Sequence, residues 1–291
     1  MESLADHPPL IVIVGQTASG KSRVGLELAR HFAGSIIACD SRTVYKGLDI
    51  GTAKPSQAEQ REIPHYLIDI VAPNESFTAA DYKRRALDAI RDVVTRGRLP
   101  ILVGGTGLYA DAVLHDFTFR KPNTAERQRL AGLSVEELQR LIGKRRIEMP
   151  ENSRNPRHLI GVLEAGGILK ERKPLRPNTL IIGMSMPMDE LGHRVHERTI
   201  AMIRQGLEEE VRNLASQYGW DAPALQATIG YREFHDYCEG TATLDEVIQR
   251  IEANTRSLAK RQRTWFRREP AIKWISKPEE SVDLVTTFLN K

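Results

Sequence analysis

A glycine-rich loop between an apolar segment and a helical segment constrains the fold of this chain most strongly. Residues 15–22 are GQTASGKS and match the phosphate-binding pattern G-x-x-x-x-G-K-[ST]. The apolar run LIVIV at 10–14 predicts a buried strand before the loop, and a helix is predicted from about Lys21 to His31. Strand, loop and helix in this order are typical of proteins that hold phosphates at a helix N-terminus.

The loop residues supply the groups that a phosphate site requires. Backbone N–H groups of the loop can turn toward phosphate oxygens, and Lys21 can bring a cation to the terminal phosphates. The Ser22 hydroxyl can complete the coordination shell of Mg²⁺, which we therefore expect as cofactor. The predicted diphosphate site consists of Gly15, Thr17, Ala18, Ser19, Gly20, Lys21 and Ser22. The pattern leaves open whose phosphates are bound.

Short apolar runs alternate with helical patterns along much of the chain. Beyond the first strand, strands are predicted at 35–39, 65–70, 99–105 and 179–185. Longer helices are predicted at about 79–96, 189–218 and 244–266. Runs that are buried on both faces and separated by helices indicate a parallel sheet with right-handed crossovers. We predict an α/β fold, a P-loop-containing parallel sheet flanked by helices, with a small helical insertion domain.

The helical insertion is assigned to residues 115–175, which contain short helical patterns and no convincing strand. The α/β core is assigned to 1–114 and 176–291, including the C-terminal helix. The insertion contains thirteen Lys or Arg against eight acidic residues, and residues 250–273 contain eight against two. Because the net charge is only +4, the rest of the chain is acidic overall. Two basic regions on an acidic body suggest a polyanion held at defined places.

The predicted C-terminal helix arranges its charges at helical spacing. A basic stripe of this helix is expected on one face, and an apolar face that packs on the core is expected opposite. The basic stripe consists of Arg256, Lys260, Arg263 and Arg267, and the apolar face of Ile251, Leu258 and Trp265. A row of cations at this spacing suits a nucleic-acid backbone.

The N-terminus has no pattern of a secretion signal, and no apolar run is long enough to cross a membrane. We therefore expect a cytoplasmic protein that does not bind membranes, and we expect a monomer. The two cysteines, Cys39 and Cys238, form no motif typical of a disulfide framework or a zinc site.

Asp40 follows the second predicted strand, at the edge of a parallel sheet where ligands bind. In an NTPase this carboxylate would help to hold the metal, and in a transferase it could act as a general base beside the phosphates. Its position alone does not separate the two roles. Thr106, in the stretch GGTGLY at 104–109, offers a hydroxyl group at the same edge, or else caps the next helix.

Five motifs in order along the chain resemble the tRNA dimethylallyltransferase family, also called tRNA isopentenyltransferases. They are GQTASGKS, DSRTVYKGLDIGTAKP, GGTGLY, IGYRE and AKRQRTWFRR. The resemblance runs through nearly the whole chain and is of the bacterial type, without the zinc-finger extension of eukaryotic relatives. It implies transfer of the dimethylallyl group from dimethylallyl diphosphate to the N6 amine of the adenosine immediately 3′ of the anticodon. The loop would then hold the leaving diphosphate rather than ATP.

The same resemblance implies roles for individual residues. Asp40 is implied as the base that takes the proton of the adenine amine, Thr106 as a hydrogen-bonding partner near the leaving group, and Arg194 as a cation that stabilises the diphosphate. Arg198, one helical turn after Arg194, is ranked below it. The residues implied to contact the anticodon stem-loop of tRNA are Ser41, Arg42, Thr43, Arg157, Gly230, Tyr231, Arg232, Lys260, Arg261, Gln262, Arg263, Trp265 and Arg267.

The chain departs from the family pattern at two positions. Gln16 stands where many relatives have proline, and Gly161 stands where an arginine is usual. Three alternatives to tRNA prenylation remain at this stage: an adenylate isopentenyltransferase, a P-loop kinase or NTPase, and a non-catalytic RNA-binding protein. The basic stripe disfavours the first two, and the intact Lys21, Ser22 and Asp40 disfavour the third.

Overall fold

Six parallel strands form one sheet, and they bring the predicted site motifs to a common edge. The computed structural model describes residues 7–119, 124–150, 152–164 and 173–290. The strands are β1 (Leu10–Gly15), β2 (Gly34–Ala38), β3 (His65–Tyr66), β4 (Leu99–Val103), β5 (Thr179–Met184) and β6 (Ile272–Ile275). They lie in the order β3-β2-β4-β1-β5-β6, and every described pairing between them is parallel. The predicted parallel α/β fold is confirmed.

Helices connect the strands and cover both faces of the sheet. In chain order they are α1 (Lys21–His31), α2 (Gln57–Glu62), α3 (Ala79–Thr95), α4 (Gly107–Leu114), α5 (Thr124–Ala131), α6 (Val135–Lys144), α7 (Pro156–Glu164), α8 (Met188–Arg204), α9 (Leu207–Tyr218), α10 (Pro223–Ala227), α11 (His235–Cys238), α12 (Leu244–Phe266) and α13 (Glu280–Leu289). Among the described residues, no helix is both long and apolar enough to span a bilayer.

The chain divides into two compact units. The larger unit, Met1–Leu114 with Leu175–Lys291, contains the sheet, and the smaller unit, His115–Pro174, contains α5, α6 and α7. In the larger unit, apolar side chains of β1 point alternately to the two faces, so Val12 packs on the α3 side and Ile13 on the α1 side. The smaller unit has its own core, formed by Leu130, Leu138, Ile142, Leu159, Ile160 and Leu163.

Two predicted elements are shorter than expected, and each has a backbone reason. The strand predicted at 65–70 ends at Tyr66, because Leu67 and Asp69 adopt positive φ angles of 65° and 56°. The helix predicted over 189–218 is two helices, α8 and α9. Gly206 separates them with a φ of 97°, a left-handed conformation that glycine adopts without steric strain.

Helix α12 has the predicted bounds, but it faces the core differently from the prediction. Its buried residues are Val247, Ile251, Ala259, Gln262 and Phe266. Leu258 lines cavities instead, and Trp265 is 38% exposed. The indole of Trp265 lies against Gly107 and donates from Nε1 to Asp111 Oδ2 at 3.1 Å. The assignment of Trp265 to a core-facing side was therefore wrong.

Candidate active site at the carboxyl edge of the sheet

Three segments that follow neighbouring strands meet at one edge of the sheet. The phosphate loop follows β1, Asp40 follows β2, and the turn of Gly104 and Gly105 follows β4. Because β4 lies between β2 and β1, the turn is the middle member of the three. Backbone bonds join them, since Cys39 O accepts from Thr106 N at 3.2 Å and Ile13 O accepts from Gly104 N at 3.0 Å.

The phosphate loop has the curled shape that its sequence predicts. Ala18 and Gly20 have left-handed φ angles of 62° and 91°, and the loop enters α1 at Lys21. The Gln16 carbonyl accepts from Ser19 Oγ at 2.8 Å and from Lys21 Nζ. The Gln16 side chain also binds the next segment of the sheet edge, since its Oε1 accepts from Met186 N at 3.3 Å. Gln16 replaces the proline of many relatives, and its side chain fixes the loop to the segment after β5.

Two desolvated cations, Lys21 and Arg198, lie in this site. Burial lowers the pKa of Lys21 from 10.5 to about 7, and Asp40 partly opposes that shift. Burial likewise lowers the pKa of Arg198, again opposed by Asp40. Within the described part of the chain, neither cation forms a salt bridge. Desolvated positive charges of this kind favour an anionic ligand with several negative charges.

The structure favours Arg198 over Arg194 as the cation beside the loop. The Arg198 guanidinium donates to Thr17 Oγ1 at 3.5 Å. Arg194 also lines the phosphate cavity, but its side chain is 47% exposed and donates to Glu190 Oε1 at 2.9 Å. Glu190 lies four residues before Arg194, a spacing at which helical ion pairs form. The spacing of Glu190 and Arg194 is the sequence signal for this ion pair, and the ranking of the two arginines stays a prediction.

The side chains of Asp40 and Thr106 each accept a hydrogen bond from a backbone N–H group of the segment that follows β2. Asp40 Oδ1 accepts from Arg42 N at 2.7 Å, which leaves Oδ2 available to a ligand. The Thr106 hydroxyl accepts from Ser41 N at 3.0 Å, so it binds the neighbouring loop. Burial raises the pKa of Cys39 to about 12, so the thiol beside Asp40 stays protonated and is a poor nucleophile.

Two cavities open from this edge and share part of their walls. The phosphate cavity, about 480 Å³, is lined by Ala18, Gly20, Lys21, Ser22 and apolar side chains such as Leu26 and Val103. The second cavity, about 410 Å³, is lined by Ser41, Arg42, Thr106, Met202, Ile229 and Trp265. Thr17, Asp40, Thr52, Gly105, Arg198, Leu258 and Gln262 line both. Asp40 therefore lies on the wall that the two cavities share.

The remaining loop predictions separate into lining and buried residues. Thr17, Ala18, Gly20, Lys21 and Ser22 line the phosphate cavity, as expected for a diphosphate site. Ser19 is 3% exposed, and its hydroxyl group stabilises the loop by donating to the Gln16 carbonyl. Gly15 is buried at the end of β1, where it pairs with β5.

The structure places the side chain of Tyr231, a predicted tRNA contact, in the interior of the protein. Its side chain is fully buried, and its hydroxyl group donates to Glu210 Oε1 at 2.6 Å. The Glu210 carboxylate in turn accepts from the backbone N–H groups of Asp49, Ile50 and Gly51 at 2.9 to 3.3 Å. Through Glu210, Tyr231 therefore stabilises the backbone of residues 49–51, a role that the motif alone did not indicate.

Thr43 also lies elsewhere than predicted. It is 8% exposed, and it lines the phosphate cavity instead of the second cavity where Ser41 and Arg42 lie. Gly230 and Arg232 do line the second cavity. Both also contact Glu233, whose carboxylate accepts from Gly230 N at 2.8 Å and from Arg232 Nε at 2.9 Å.

The residues of α12 and its C-terminal end that are predicted to contact tRNA differ in their environments. Arg261 and Trp265 line the second cavity, and Lys260 and Arg267 are exposed on the helix surface. Arg263 is partly exposed, and Arg256 pairs with Glu252 at 3.3 Å, so one acid does interrupt the basic stripe. Gln262 is buried. Arg157 lies in the first turn of α7, but its side chain lies outside the described residues.

The donor set suits a magnesium ion that is shared with phosphate oxygens. Within the described residues no cluster of three His, Cys, Asp or Glu side chains could hold a metal by itself. Mg²⁺ in phosphate sites takes one or two protein oxygens and completes its shell with phosphate and water. Ser22 lines the phosphate cavity and offers such an oxygen.

Comparison with known proteins assigns the chain to a family. The sequence profile of the IPP transferase family matches residues 43–269. The tRNA dimethylallyltransferase of Anoxybacillus flavithermus is 39% identical, with 94% of this chain and 92% of that protein covered. A solved tRNA isopentenylpyrophosphate transferase from Bacillus halodurans is similar at a TM-score of 0.74 and 35% identity, with 97% of each chain covered.

A eukaryotic dimethylallyltransferase acting on tRNA has a similar fold as well. Its TM-score is 0.74 at 25% identity, with 89% of this chain and 70% of that chain covered. The profile match includes α12 and begins at residue 43, after the phosphate loop and Asp40. The chain belongs to the IPP transferase family.

Proposed function

We propose that this protein is a tRNA dimethylallyltransferase that uses dimethylallyl diphosphate. The donor's diphosphate lies in the phosphate cavity, and the acceptor adenosine, immediately 3′ of the anticodon, enters the second cavity. The observation that supports this most directly is the placement of Asp40 on the wall that the two cavities share, beside Lys21 and Arg198.

The reaction follows from this placement. The adenine N6 atom forms a bond to C1 of the dimethylallyl group while the bond from C1 to the diphosphate oxygen breaks. The proton of the amine passes to the Asp40 carboxylate, which is useful because the amine's lone pair is delocalised into the ring. Lys21, Arg198 and the loop amides stabilise the charge that develops on the leaving diphosphate. Mg²⁺ held by Ser22 would supply further charge neutralisation there.

The acceptor base reaches Asp40 only when it leaves the stack of the anticodon loop. Arg42, Arg261 and Trp265 line the second cavity with planar and cationic groups, the groups on which single-stranded bases commonly stack. The exposed cations Lys260 and Arg267 are placed to neutralise backbone phosphates of the stem-loop. The basic smaller unit is part of the same proposal as a further tRNA contact.

A label-transfer assay tests the proposed function. The protein is incubated with unmodified tRNA, AMP and Mg²⁺ together with either dimethylallyl diphosphate labelled in the alkyl group or γ-labelled ATP. We expect label to enter tRNA only from the first donor. Label entering tRNA only from ATP would support a kinase, and label entering free AMP but not tRNA would support an adenylate isopentenyltransferase.

The lowered pKa of Lys21 predicts that diphosphate binding depends on pH. The free protein has a Lys21 pKa of about 7, so above that pH the amine must take up a proton to bind the anion. Affinity for inorganic diphosphate should be highest below about pH 7 and fall by up to about tenfold per pH unit above it. Calorimetry in two buffers of different ionisation enthalpy measures the proton uptake.

Lys21→Met serves as the control for that titration, because it removes the amine but keeps the side-chain length. The variant should bind more weakly and retain only the pH dependence of the diphosphate itself. An unchanged pH dependence in Lys21→Met would show that Lys21 is not the titrating group.

Charge reversal at Arg263 tests the basic stripe on α12. Arg263→Glu should weaken binding of the anticodon stem-loop about tenfold at low salt and reduce the slope of log K against log salt by about one to two. Affinity for inorganic diphosphate should not change. The matched control is Arg91→Glu on α3, the same charge change at a side chain that is 75% exposed and lines neither cavity. An equal loss of stem-loop affinity in both variants would exclude a local contact at Arg263.

A further inference from the structure

Gln262 joins the phosphate loop to the turn that follows β4. Its carboxamide Oε1 accepts from Thr17 N at 2.7 Å, and its Nε2 donates to Gly105 O at 2.9 Å. The residue is 9% exposed. Since one partner is a donor and the other an acceptor, only one orientation of the carboxamide satisfies both. A glutamate cannot replace it, because a carboxylate has no proton to donate to Gly105 O.

The turn is shaped to receive this side chain. A Cβ atom at Gly105 would lie 2.2 Å from Gln262 Nε2, so residue 105 must lack a side chain for the carboxamide to fit. The next residue, Thr106, binds Ser41 N beside Asp40. Gln262 therefore lies at the centre of a chain of contacts that runs from the phosphate loop to the segment that holds Asp40.

The two residues before Gln262 on α12 face solvent, unlike Gln262 itself. Lys260 and Arg261 are exposed, whereas Gln262 faces inward and lines the shared wall of the two cavities. On α12, residues proposed to bind tRNA are thus direct neighbours of the residue that holds the phosphate loop.

We propose that Gln262 is a positioning residue, which holds the phosphate loop at Thr17 in register with the turn of Gly105 and Thr106, and that it is not a tRNA contact. The inference rests on the proposed function, because the position of the phosphate loop relative to this turn sets the distance between the donor's diphosphate and Asp40. Without the carboxamide, Thr17 N and Gly105 O lose their partners in a buried place, and the loop is free to shift.

The first test compares Gln262→Leu and Gln262→Glu with Arg261→Gln. Calorimetry measures affinity for inorganic diphosphate, and fluorescence anisotropy measures affinity for an unmodified anticodon stem-loop. Both Gln262 variants should bind diphosphate about 3- to 30-fold more weakly, the loss expected for two hydrogen bonds, with stem-loop affinity within about twofold of wild type. Arg261→Gln should show the reverse pattern. Thermal unfolding checks that each variant is folded.

The second test uses the close approach of Gly105. Gly105→Ala alone should weaken diphosphate binding, because its methyl group collides with the carboxamide. The double variant Gly105→Ala with Gln262→Ala should bind diphosphate no more weakly than Gln262→Ala alone, since the collision is gone. Fully additive losses would overturn the proposed contact.

Two other results would also overturn the proposal. One is a loss of stem-loop affinity in Gln262→Leu as large as that in Arg261→Gln, and the other is an unchanged diphosphate affinity in both Gln262 variants. Wild-type protein that binds no inorganic diphosphate would remove its premise and overturn it too. A failure of the proposed function looks different: wild-type protein binds diphosphate but transfers no label to tRNA.

Discussion

Asp40→Asn should lower the rate of dimethylallyl transfer by about 10²- to 10⁴-fold, the contribution usual for a positioned general base. The asparagine keeps the size of the side chain, and its Oδ1 can still accept from Arg42 N, a bond of 2.7 Å in the wild type. The loop should therefore stay folded while the group that receives the amine proton is lost. Affinity for the anticodon stem-loop and for inorganic diphosphate should stay within a few-fold of wild type.

Single-turnover transfer to unmodified tRNA measures this effect without interference from product release. Glu59→Gln is the matched control, because Glu59 is a second carboxylate on the wall of the phosphate cavity. Its role is local: with Ser56 it forms the capping box of α2, which glutamine can also form. Turnover in Asp40→Asn within about threefold of wild type would remove Asp40 from the proposed proton transfer.

Arg198→Gln should lower the rate of transfer by about 10²- to 10³-fold, the cost typical of removing one group that stabilises developing charge. Its guanidinium lies in the cavity beside Thr17 without a salt bridge among the described residues. Removing a desolvated cation of this kind should not destabilise the fold, so the unfolding temperature should be unchanged or higher. The loss should appear mainly in kcat, since the charge on the diphosphate grows as the bond to carbon breaks.

Arg194→Gln is the control for Arg198, one helical turn away on α8. Arg194 is about half exposed and paired with Glu190, so its removal should lower transfer by no more than about fivefold. The reverse order of effects, with Arg194→Gln the more damaging, would restore the ranking that the family motif implied. Measuring both variants with dimethylallyl diphosphate at saturation separates weaker donor binding from slower chemistry.

The sheet and the phosphate loop could be predicted because local sequence determines them. Each central strand is a short apolar run, and the loop pattern carries its own glycines and lysine. The site edge followed from the rule that ligands bind at the carboxyl ends of parallel strands. The edge strand β6 was missed, because Ile272 and Ile275 are its buried residues and the two between them are exposed. A run so short gives no clear period.

What sequence alone could not give was the direction in which individual side chains point. Arg194 and Arg198 lie one helical turn apart and carry the same group, and the contact of Arg198 with Thr17 on the phosphate loop distinguishes them. Tyr231 belongs to a motif implied to contact tRNA, but its hydroxyl group binds Glu210 of α9 in the interior. Trp265 fits an apolar stripe by period, but an acceptor on α4 holds its indole at the surface. Each of these depends on a tertiary neighbour.

The strand order has a consequence for the size of the reaction centre. Neighbouring strands are spaced by about 4.8 Å, so the axes of β2 and β1, with β4 between them, lie about 10 Å apart. The backbones that carry Asp40 and the phosphate loop are therefore separated by one full strand, and side chains span the remainder. In the proposed reaction, this strand order leaves room for the acceptor nitrogen, the transferred carbon and the departing oxygen in one line, and it keeps the Asp40 carboxylate apart from the phosphates.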